Sequence, residues 1–402
     1  MKVAIIGGGA AGFFAAIHVK ENYPEAQVVI FEKSGKILSK VKISGGGRCN
    51  VTNGVKSIKE LASAYPRGEQ KLKKAFGQFN NNHTMAWFEN RNVPLVVQND
   101  NCVFPKSQNS QSIIDCFMRE VTRLQIEIIY KKPIIQITEI NGQLSISFKD
   151  TETQLFDKVI IATGGSPNRK NLNWLEELGH EIENPVPSLF TFNMPNEKIT
   201  ELMGIVVKEA LVSIQGTKLK SEGPLLITHW GMSGPAILKL SAFGARVLFD
   251  KNYEFKVQVS WVNTLNNDLV REELQQIARK NPKKQLSSIK PYQLQTRLWL
   301  YLLEKIDLSA DKTWQEIGKK NLNKLVNLLT NDTYSVQGKT TFKEEFVTCG
   351  GVSLKNINIK TMQSNVVNNL YFAGEVLDID GITGGYNFQA AWTTGYIAAK
   401  SK

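Results

Sequence analysis

The chain has 402 residues, which is too long for one ordinary hydrophobic core, so we expect two or three domains. Its 42% hydrophobic and 21% charged residues are ordinary for a soluble protein, and no apolar run approaches the ~18–20 residues that span a bilayer. The net charge of +12 is compatible with nucleic-acid binding, but the lysines are spread along the whole chain, so nucleic acid is not an expected partner.

The N-terminal segment predicts a strand, a helix and a second strand built around a dinucleotide. The apolar run 3–6 is typical of a buried parallel strand. The sequence GGGAAG follows at 7–12 with GxGxxG spacing, which permits a tight turn, close approach to a pyrophosphate and close helix packing. The second strand, 27–31, ends at Glu32, whose carboxylate suits an adenosine ribose and disfavours a 2′-phosphate.

The chain continues with alternating helices and strands to about residue 190. We predict helices at 85–90 and 112–124, and strands at 126–130, 134–140, 144–148 and 159–161. The last of these strands is apolar and ends in Ala162, Thr163 and Gly164, as a strand that returns to a nucleotide site would. The first part of the chain is therefore predicted to be α/β.

Beyond residue 190 the pattern changes twice. The segment 184–195 contains three prolines and predicts a crossover out of the first domain. Short strands are then predicted at 206–214, 223–228, 245–249 and 255–260, with one helix at 236–242, which favours an antiparallel sheet or a small barrel. From 264 to about 330, leucines recur at helical spacing and predict a compact helical insert.

The C-terminal part returns to strand and then to helix. Residues 333–347 alternate as a strand does, 369–372 form another buried strand, and 388–399 predict a helix. Four cysteines are scattered without a CxxC motif, which argues against a metal site and favours reduced thiols. The N-terminus does not resemble a signal peptide, so we expect a cytoplasmic protein.

Three further segments are predicted to meet the N-terminal fingerprint at one ligand. In 44–53, three consecutive glycines suit a backbone that lies flat against a large ring, among polar side chains that can bind phosphate or hydroxyls. The strand before Gly374 delivers Glu375 to the carboxyl edge of the sheet, where open α/β sheets bind ligands. Asp380 either binds hydroxyls or is a loop acid or helix cap. A glycine-rich turn, 381–385, opens the last helix, whose N-terminus favours developing negative charge.

The combined pattern predicts an FAD site. Its expected cofactor-binding residues are Gly7, Gly9, Ala10, Ala11, Gly12, Glu32, Lys33, Ser44, Gly45, Gly46, Gly47, Arg48, Cys49, Asn50, Thr52, Asn53, Ala162, Thr163, Gly164, Gly374, Glu375, Asp380, Gly385, Tyr386, Asn387 and Phe388.

Two residues are candidates for catalysis, His229 and Arg48. His229 either exchanges a proton beside the flavin or bonds the backbone of the following turn. Arg48 binds either FAD phosphate or a substrate anion. Cys49 is either a redox partner of the flavin or a buried, inert thiol.

The motifs resemble a three-domain family of bacterial flavoproteins that includes aminoacetone oxidase and the BaiN-type bile-acid reductases. The resemblance rests on GGGAAG, SGGGRCNVTN, ATGG, THWGMSGP, CGGV and FAGEVLDIDGITGGYNFQAAW, which together span nearly the whole chain. It implies non-covalent FAD in a Rossmann-like domain split between the two termini. It also implies a β-rich substrate domain that carries a small helical insert.

With this resemblance, the predicted domains are the FAD-binding domain at 1–190 and 347–402, the substrate domain at 191–263 and 332–346, and the insert at 264–331. The predicted function is an FAD-dependent oxidoreductase of a small molecule. NAD(P)H is a candidate reductant that docks transiently, because no second GxGxxG is present. The first hypothesis is a reductase, whose flavin takes hydride from NAD(P)H and passes it to an unsaturated or carbonyl-conjugated acceptor. Two alternatives stay open: an oxidase of a small amine that uses oxygen and gives hydrogen peroxide, and a flavin-loaded RNA-binding or RNA-modifying protein.

Overall fold

The computed structural model describes residues 1–149, 152–340 and 347–401. Contacts divide the chain into two compact units. The first unit contains Met1–Ser188 together with the C-terminal segment from 347 onward, and the second runs from Leu189 to 340. The first unit is thus built from two segments that are far apart in the sequence. Within the described residues, no helix is long and apolar enough to cross a membrane.

Strands and helices are interspersed along most of the chain. In chain order, the strands are β1 (Lys2–Ile6), β2 (Gln27–Phe31), β3 (Thr52–Asn53), β4 (Leu95–Val97), β5 (Cys102–Pro105), β6 (Glu127–Ile129), β7 (Ile134–Ile140), β8 (Gln143–Phe148), β9 (Gln154–Phe156), β10 (Lys158–Ile161), β11 (Ile182–Ser188), β12 (Thr191–Asn193), β13 (Val206–Ile214), β14 (Lys220–Thr228), β15 (Gly231–Ser233), β16 (Glu254–Ser260), β17 (Asp332–Gln337), β18 (Lys339–Thr340), β19 (Val347–Val352), β20 (Ile357–Asn358), β21 (Gln363–Ser364) and β22 (Leu370–Phe372). The helices are α1 (Ala10–Asn22), α2 (Ser39–Gly47), α3 (Ile58–Ser63), α4 (Glu69–Ala75), α5 (Asn81–Glu89), α6 (Gln111–Arg123), α7 (Asn173–Glu177), α8 (Pro235–Phe243), α9 (Ala245–Asp250), α10 (Asn267–Lys280), α11 (Thr296–Lys305), α12 (Gly318–Thr330) and α13 (Tyr386–Lys400).

The first unit contains a seven-stranded sheet in the order β20-β21-β22-β10-β1-β2-β6. Five of these strands, β22, β10, β1, β2 and β6, are parallel to one another. β1 lies inside the sheet, and its residues Val3 to Ile6 are at most 4% exposed, which explains their continuous apolar character. The predicted strand–helix–strand unit and the split Rossmann-like α/β fold are confirmed.

The two ends of the chain meet through helices α1 and α13, which pack against each other in this unit. Gly395 makes the approach possible, because a Cβ there would lie 2.9 Å from the carbonyl oxygen of Ala11. Both helices are buried along most of their length, and their aromatic side chains Phe14 and Trp392 lie 5.3 Å apart. The C-terminal helix is therefore part of the core of the N-terminal fold.

The second unit contains a seven-stranded antiparallel sheet in the order β17-β16-β13-β14-β15-β12-β18. Helices α10 to α12, predicted as a separate insert, share one hydrophobic core with this sheet. Val257 of β16 and Trp261, which follows β16 directly, belong to the same buried cluster as Leu298 and Trp299 of α11. Each amphipathic helix needs an apolar surface to cover, and the sheet provides it.

One local prediction is wrong, and the structure refines a second. The strand predicted at 245–249 is wrong, because these residues form α9 directly after Gly244 ends α8. A short apolar run has no periodicity that separates a strand from a helix. The crossover predicted at 184–195 does contain the point, after Ser188, where the chain leaves the first unit, although its first residues belong to β11, which pairs antiparallel with β19. The register shifts between Glu183 and Val186, which accommodates Pro185 without a ladder hydrogen bond. Part of the strand predicted at 333–347, residues 341–346, lies outside the described residues.

Candidate active site

The carboxyl edge of the parallel sheet brings together segments that are distant in sequence. Ile6 at the end of β1 pairs with Phe31 and with Ile161, and Ile161 pairs with Phe372. All four strands therefore end at the same level. The segments that follow them are the glycine fingerprint, Glu32, the turn at 162–164 and the pair Gly374 and Glu375. Open α/β sheets bind ligands at this edge.

The three fingerprint glycines have different structural roles. Gly7 has a φ of 118°, and a Cβ there would overlap the carbonyl oxygen of Ala162. A Cβ at Gly12 would overlap the carbonyl oxygen of Gly7. At Gly9, in contrast, no heavy atom lies within 4 Å of the Cβ position. Gly7 and Gly12 thus serve the packing of strand and helix, whereas Gly9 leaves space open at the helix start.

Helix α1 begins at Ala10, and its N-terminus has no side-chain cap. The first backbone N–H groups of a helix lack partners within the helix, and the helix dipole adds positive potential there. Ala10 and Ala11 contribute small side chains to this first turn. The arrangement favours an anion at the open side of Gly9.

The carboxylate of Glu32 lies beside this helix start. Its Oε2 accepts a hydrogen bond from the backbone N–H of Gly8 at 2.9 Å, and its Oε1 accepts one from Ser34 at 2.8 Å. These bonds fix the carboxylate at the end of β2. The adjacent Lys33 is exposed. The predicted ribose contact of Glu32 and the cofactor contact of Lys33 stay predictions.

The glycine-rich segment after Glu32 interrupts helix α2. Gly45, Gly46 and Gly47 have φ values of 57°, 68° and 82°, a left-handed backbone that favours glycine. At the last two of them, no heavy atom lies within 4 Å of the Cβ position. The segment therefore presents bare backbone, as expected for contact with a flat ligand.

Arg48 is anchored beside these glycines. Its guanidinium lies 4.2 Å from the centre of the Phe104 ring, and its Nε donates to the carbonyl oxygen of Gly45 at 3.1 Å. One terminal nitrogen also donates to Gln108 at 3.3 Å. These contacts place a half-buried positive charge at the segment. Its role toward phosphate or substrate stays a prediction.

Polar side chains of the same segment connect it to the C-terminal turn. The amide of Asn53 donates to the carbonyl oxygen of Gly384 at 2.9 Å, and the hydroxyl of Thr52 donates to Gln389 at 2.5 Å. A Cβ at Gly385 would overlap the carbonyl oxygen of Thr52, so this position requires glycine. Asn50 accepts a hydrogen bond from the backbone of Val103 at 3.3 Å. The predicted meeting of these two segments is thus observed, and their side chains hold each other.

Glu375 forms a cluster with two residues that are not among the predicted site residues. Its Oε2 pairs with the ammonium group of Lys40 at 2.6 Å, and its Oε1 accepts the backbone N–H of Thr348 at 2.9 Å. Lys40 belongs to no motif that would have revealed it, whereas Thr348 directly precedes the CGGV motif. The preceding Gly374 donates its N–H to Thr394 at 2.8 Å, which ties the turn to α13.

Asp380 lies inside the protein and is paired. The residue is 0% exposed, its Oδ1 accepts from the Nε of Arg67 at 2.5 Å, and its Oδ2 accepts from the hydroxyl of Ser188 at 2.6 Å. Burial raises the pKa of Asp380, and the charge of Arg67 opposes this shift. Of the two alternatives for this acid, the contacts favour a structural role in its loop.

Helix α13 begins after two glycines in left-handed conformation and has no side-chain cap. Asn387 instead bonds the backbone of Gly381, accepting at 2.8 Å and donating at 3.0 Å. Tyr386 is buried and its carbonyl accepts the hydroxyl of Tyr65 at 2.6 Å, while Phe388 stacks on Trp392. The helix thus presents a second uncapped N-terminus, held in place by its own turn.

His229 lies in the second unit, in the turn between β14 and β15. It is exposed, and its ring contacts the edge of Trp230 with centres 4.5 Å apart. The indole of Trp230 donates to the hydroxyl of Thr191 at 3.0 Å, which fixes the base of this turn. A proton-transfer role for His229 stays a prediction.

Cys49 is expected to resist alkylation in the folded protein. It is 0% exposed, and burial raises the pKa of its thiol to about 12, against the opposing effect of the Ser44 hydroxyl. Only the thiolate is nucleophilic, so almost none of the reactive form exists at pH 8. Iodoacetamide labelling read by mass spectrometry should modify Cys49 after unfolding but not before. Labelling of the native protein at the rate of a free thiol would restore the redox alternative.

Glycine turns and the uncapped N-terminus of α1 at the carboxyl edge of a parallel sheet define a Rossmann-type dinucleotide-binding protein. The chain belongs to the HI0933-like Rossmann-domain family, whose model matches residues 1–401. This confirms the family resemblance found in the sequence. The protein is accordingly an enzyme of the flavin-dependent oxidoreductase class.

Curated relatives align over almost the whole chain. A ribosomal RNA dihydrouridine synthase from Haemophilus influenzae is 29% identical and covers 99% of this chain and 97% of its own length. A 3-dehydro-bile acid delta(4,6)-reductase from Clostridium scindens is 26% identical, and the alignment covers 100% of this chain and 98% of the reductase. A second ribosomal RNA dihydrouridine synthase, from Escherichia coli, is 26% identical, and the alignment covers 98% of this chain and 96% of the synthase.

Solved structures share the fold at low identity. A 3-ketosteroid-delta4-(5alpha)-dehydrogenase from Rhodococcus jostii is 11% identical with a TM-score of 0.51, covering 99% of this chain and 96% of its own. The E. coli quinol fumarate reductase FrdA is 13% identical with a TM-score of 0.50, and the match covers 100% of this chain and 69% of FrdA. At these identities the likeness concerns the fold.

Proposed function

We propose that this protein is an FAD-dependent reductase in which NAD(P)H supplies the electrons and a carbon–carbon double bond conjugated to a carbonyl accepts them. The open space at Gly9, next to the uncapped start of α1, is the observation that carries the FAD assignment. A pyrophosphate is the anion that a GxGxxG turn and helix start accommodate.

The other residues at the sheet edge fit the remainder of FAD. Glu32 stands one strand away from the helix start, where a ribose would meet its carboxylate. The bare left-handed backbone of Gly46 and Gly47 offers space for a flat ring. When bound, FAD supplies hydride transfer. The uncapped N-terminus of α13 would favour negative charge on the reduced ring, and no side chain competes for those N–H groups.

The names of the curated relatives support the class of acceptor. One name describes formation of dihydrouridine, the other reduction of delta(4,6) bonds in a 3-dehydro bile acid. In uracil the 5,6 double bond is conjugated to a ring carbonyl. Reduction of such a bond adds a hydride to the carbon β to the carbonyl and a proton to the α carbon, while NAD(P)H loses the hydride. Arg48 could stabilise the enolate-like charge that develops on the carbonyl oxygen.

A second candidate is narrower: the acceptor is a uracil within RNA. Two of the curated relatives bear the name ribosomal RNA dihydrouridine synthase, and this chain carries a net charge of +12. A net positive charge on the protein attracts a polyanionic substrate such as RNA.

Anaerobic spectroscopy of the flavin-loaded protein tests both candidates. NADH or NADPH should bleach the flavin band at about 450 nm, and an acceptor should then restore it without oxygen. Recovery with a conjugated enone alone supports the general reductase, and recovery with uridine-containing RNA supports the second candidate. Bleaching by a small amine, with hydrogen peroxide formed on re-aeration, would replace the proposal with an oxidase. A protein that neither contains nor binds FAD would refute it.

A further inference from the structure

The helical part of the second unit carries an exposed cluster of lysines that the site described above does not use. We define the insert patch as Lys280, Lys283, Lys284, Lys312, Lys319 and Lys320. All six are exposed, and none has an ion-pair partner among the residues that the structure describes. The residues belong to three separate stretches of sequence.

Backbone hydrogen bonds hold two of these stretches together. The N–H of Trp314 donates to the carbonyl oxygen of Lys284 at 3.0 Å, and the N–H of Leu286 donates to that of Lys312 at 2.8 Å. Gln285 and Thr313 form an antiparallel bridge between them. The loop after α10 and the segment before α12 therefore form one short ribbon.

Helix pairing brings the third stretch to the same end. Arg271 of α10 donates to Asn323 of α12 at 3.2 Å, and Asn267 donates to Asn327 at 3.2 Å. As residue numbers rise along one helix they fall along the other, so the helices are antiparallel. The end of α10, with Lys280, thus lies beside the start of α12.

Helix stability explains only one of the charges of this patch. Lysine in the last turn of a helix interacts favourably with the dipole, which accounts for Lys280. Lys319 and Lys320 occupy the first turn of α12, where the dipole repels cations. One nearby acid, Glu316, accepts hydrogen bonds from Thr313 in a capping box, and these bonds together with the charge of Lys312 lower the pKa of its carboxyl. The patch therefore carries an excess of positive charge, although Lys319 and Lys320 reduce the stability of α12. Residues that oppose local stability in this way are typical of a functional surface.

We propose that the insert patch binds the phosphate backbone of RNA. The inference rests on the second candidate under the proposed function, because a uracil within RNA would need a surface that holds the surrounding polyanion. Flexible lysines act as point charges toward phosphates and carry no base specificity. The patch would therefore supply affinity that does not depend on the base sequence of the RNA.

Neutralisation of four patch lysines tests this assignment. The variant K283Q/K284Q/K319Q/K320Q is compared with the wild type by fluorescence anisotropy, using an in vitro transcript of ribosomal RNA. We expect binding to weaken about tenfold or more at moderate salt, and the slope of log Kd against log salt to fall by about 2–3. The matched control K59Q/K71Q/K73Q/K74Q removes the same charge from exposed positions of the first unit and should bind as the wild type does.

The outcomes separate this inference from the proposed reaction. Melting temperature and flavin content are measured for all variants, and anaerobic reduction by NAD(P)H is measured in parallel. Patch-dependent RNA binding without flavin reduction by NAD(P)H would refute the proposed function and leave the RNA surface standing. Equal RNA binding by wild type, patch variant and control would overturn the inference. So would a wild type that binds vesicles of equal parts phosphatidylglycerol and phosphatidylcholine but not RNA.

Discussion

Replacement of Gly9 by valine is expected to abolish retention of FAD while the protein still folds. The Cβ position of Gly9 has no heavy atom within 4 Å, and its φ of −96° is open to any residue. The valine side chain would instead fill the place that we propose for the pyrophosphate. Each charge-assisted hydrogen bond lost to the pyrophosphate costs about 1.5–3 kcal/mol, which weakens FAD binding by a factor of about 10 to 10² per bond. The amount of retained FAD is measured as flavin absorbance per protein molecule after gel filtration. Circular dichroism checks that the variant is folded.

Two further variants make the Gly9→Val result specific. Gly9→Ala adds only a methyl group and should retain FAD at an intermediate level. Gly12→Val should fail to fold, because a Cβ there overlaps the carbonyl oxygen of Gly7. Unchanged FAD content in a folded Gly9→Val protein would contradict the placement of the pyrophosphate.

Removal of the Asp380 carboxylate should destabilise the protein strongly. Asp380→Ala removes the carboxylate that faces the largely buried guanidinium of Arg67 and that accepts a hydrogen bond from the hydroxyl of Ser188. Breaking one side of a buried ion pair typically costs about 3–5 kcal/mol of folding free energy. Urea unfolding of the flavin-free proteins, monitored by tryptophan fluorescence, measures the difference.

An exposed ion pair provides the matched control for this prediction. Asp268 pairs with Arg271 on the surface of α10, and its side chain is 89% exposed. Asp268→Ala should change stability by less than about 1 kcal/mol, since solvent screens exposed charges. Equal losses in both variants would show that the Asp380 pair contributes no more than a surface contact.

The sequence alone determined the dinucleotide-binding class and the split domain. The fingerprint at Gly7 to Gly12 and the turn at Gly385 are requirements of the backbone, because a Cβ at Gly7, Gly12 or Gly385 would overlap a neighbouring carbonyl oxygen. Such requirements are local and leave a residue pattern that can be read. The same holds for the apolar strands that deliver these turns to the sheet edge.

The pairing of polar side chains was decided by tertiary structure. Asp380 looked equally suited to a ligand and to a loop, and only the approach of Arg67, 313 residues earlier, settles its partner. Lys40 likewise reaches Glu375 across 335 residues. Long flexible side chains meet wherever the fold places them, so their spacing in the sequence carries no periodic signal.

For surface charge, too, the sequence determined one property and the tertiary structure another. The sequence showed a net charge of +12 and lysines spread along the chain, which argued against a nucleic-acid surface. The antiparallel pairing of α10 with α12 and the backbone ribbon between Lys284 and Trp314 together bring three of those stretches to one end of the helical segment. Composition fixed the amount of charge, because it is a sum over residues. Its concentration into a patch depends on contacts between distant segments, and these exist only in the folded chain.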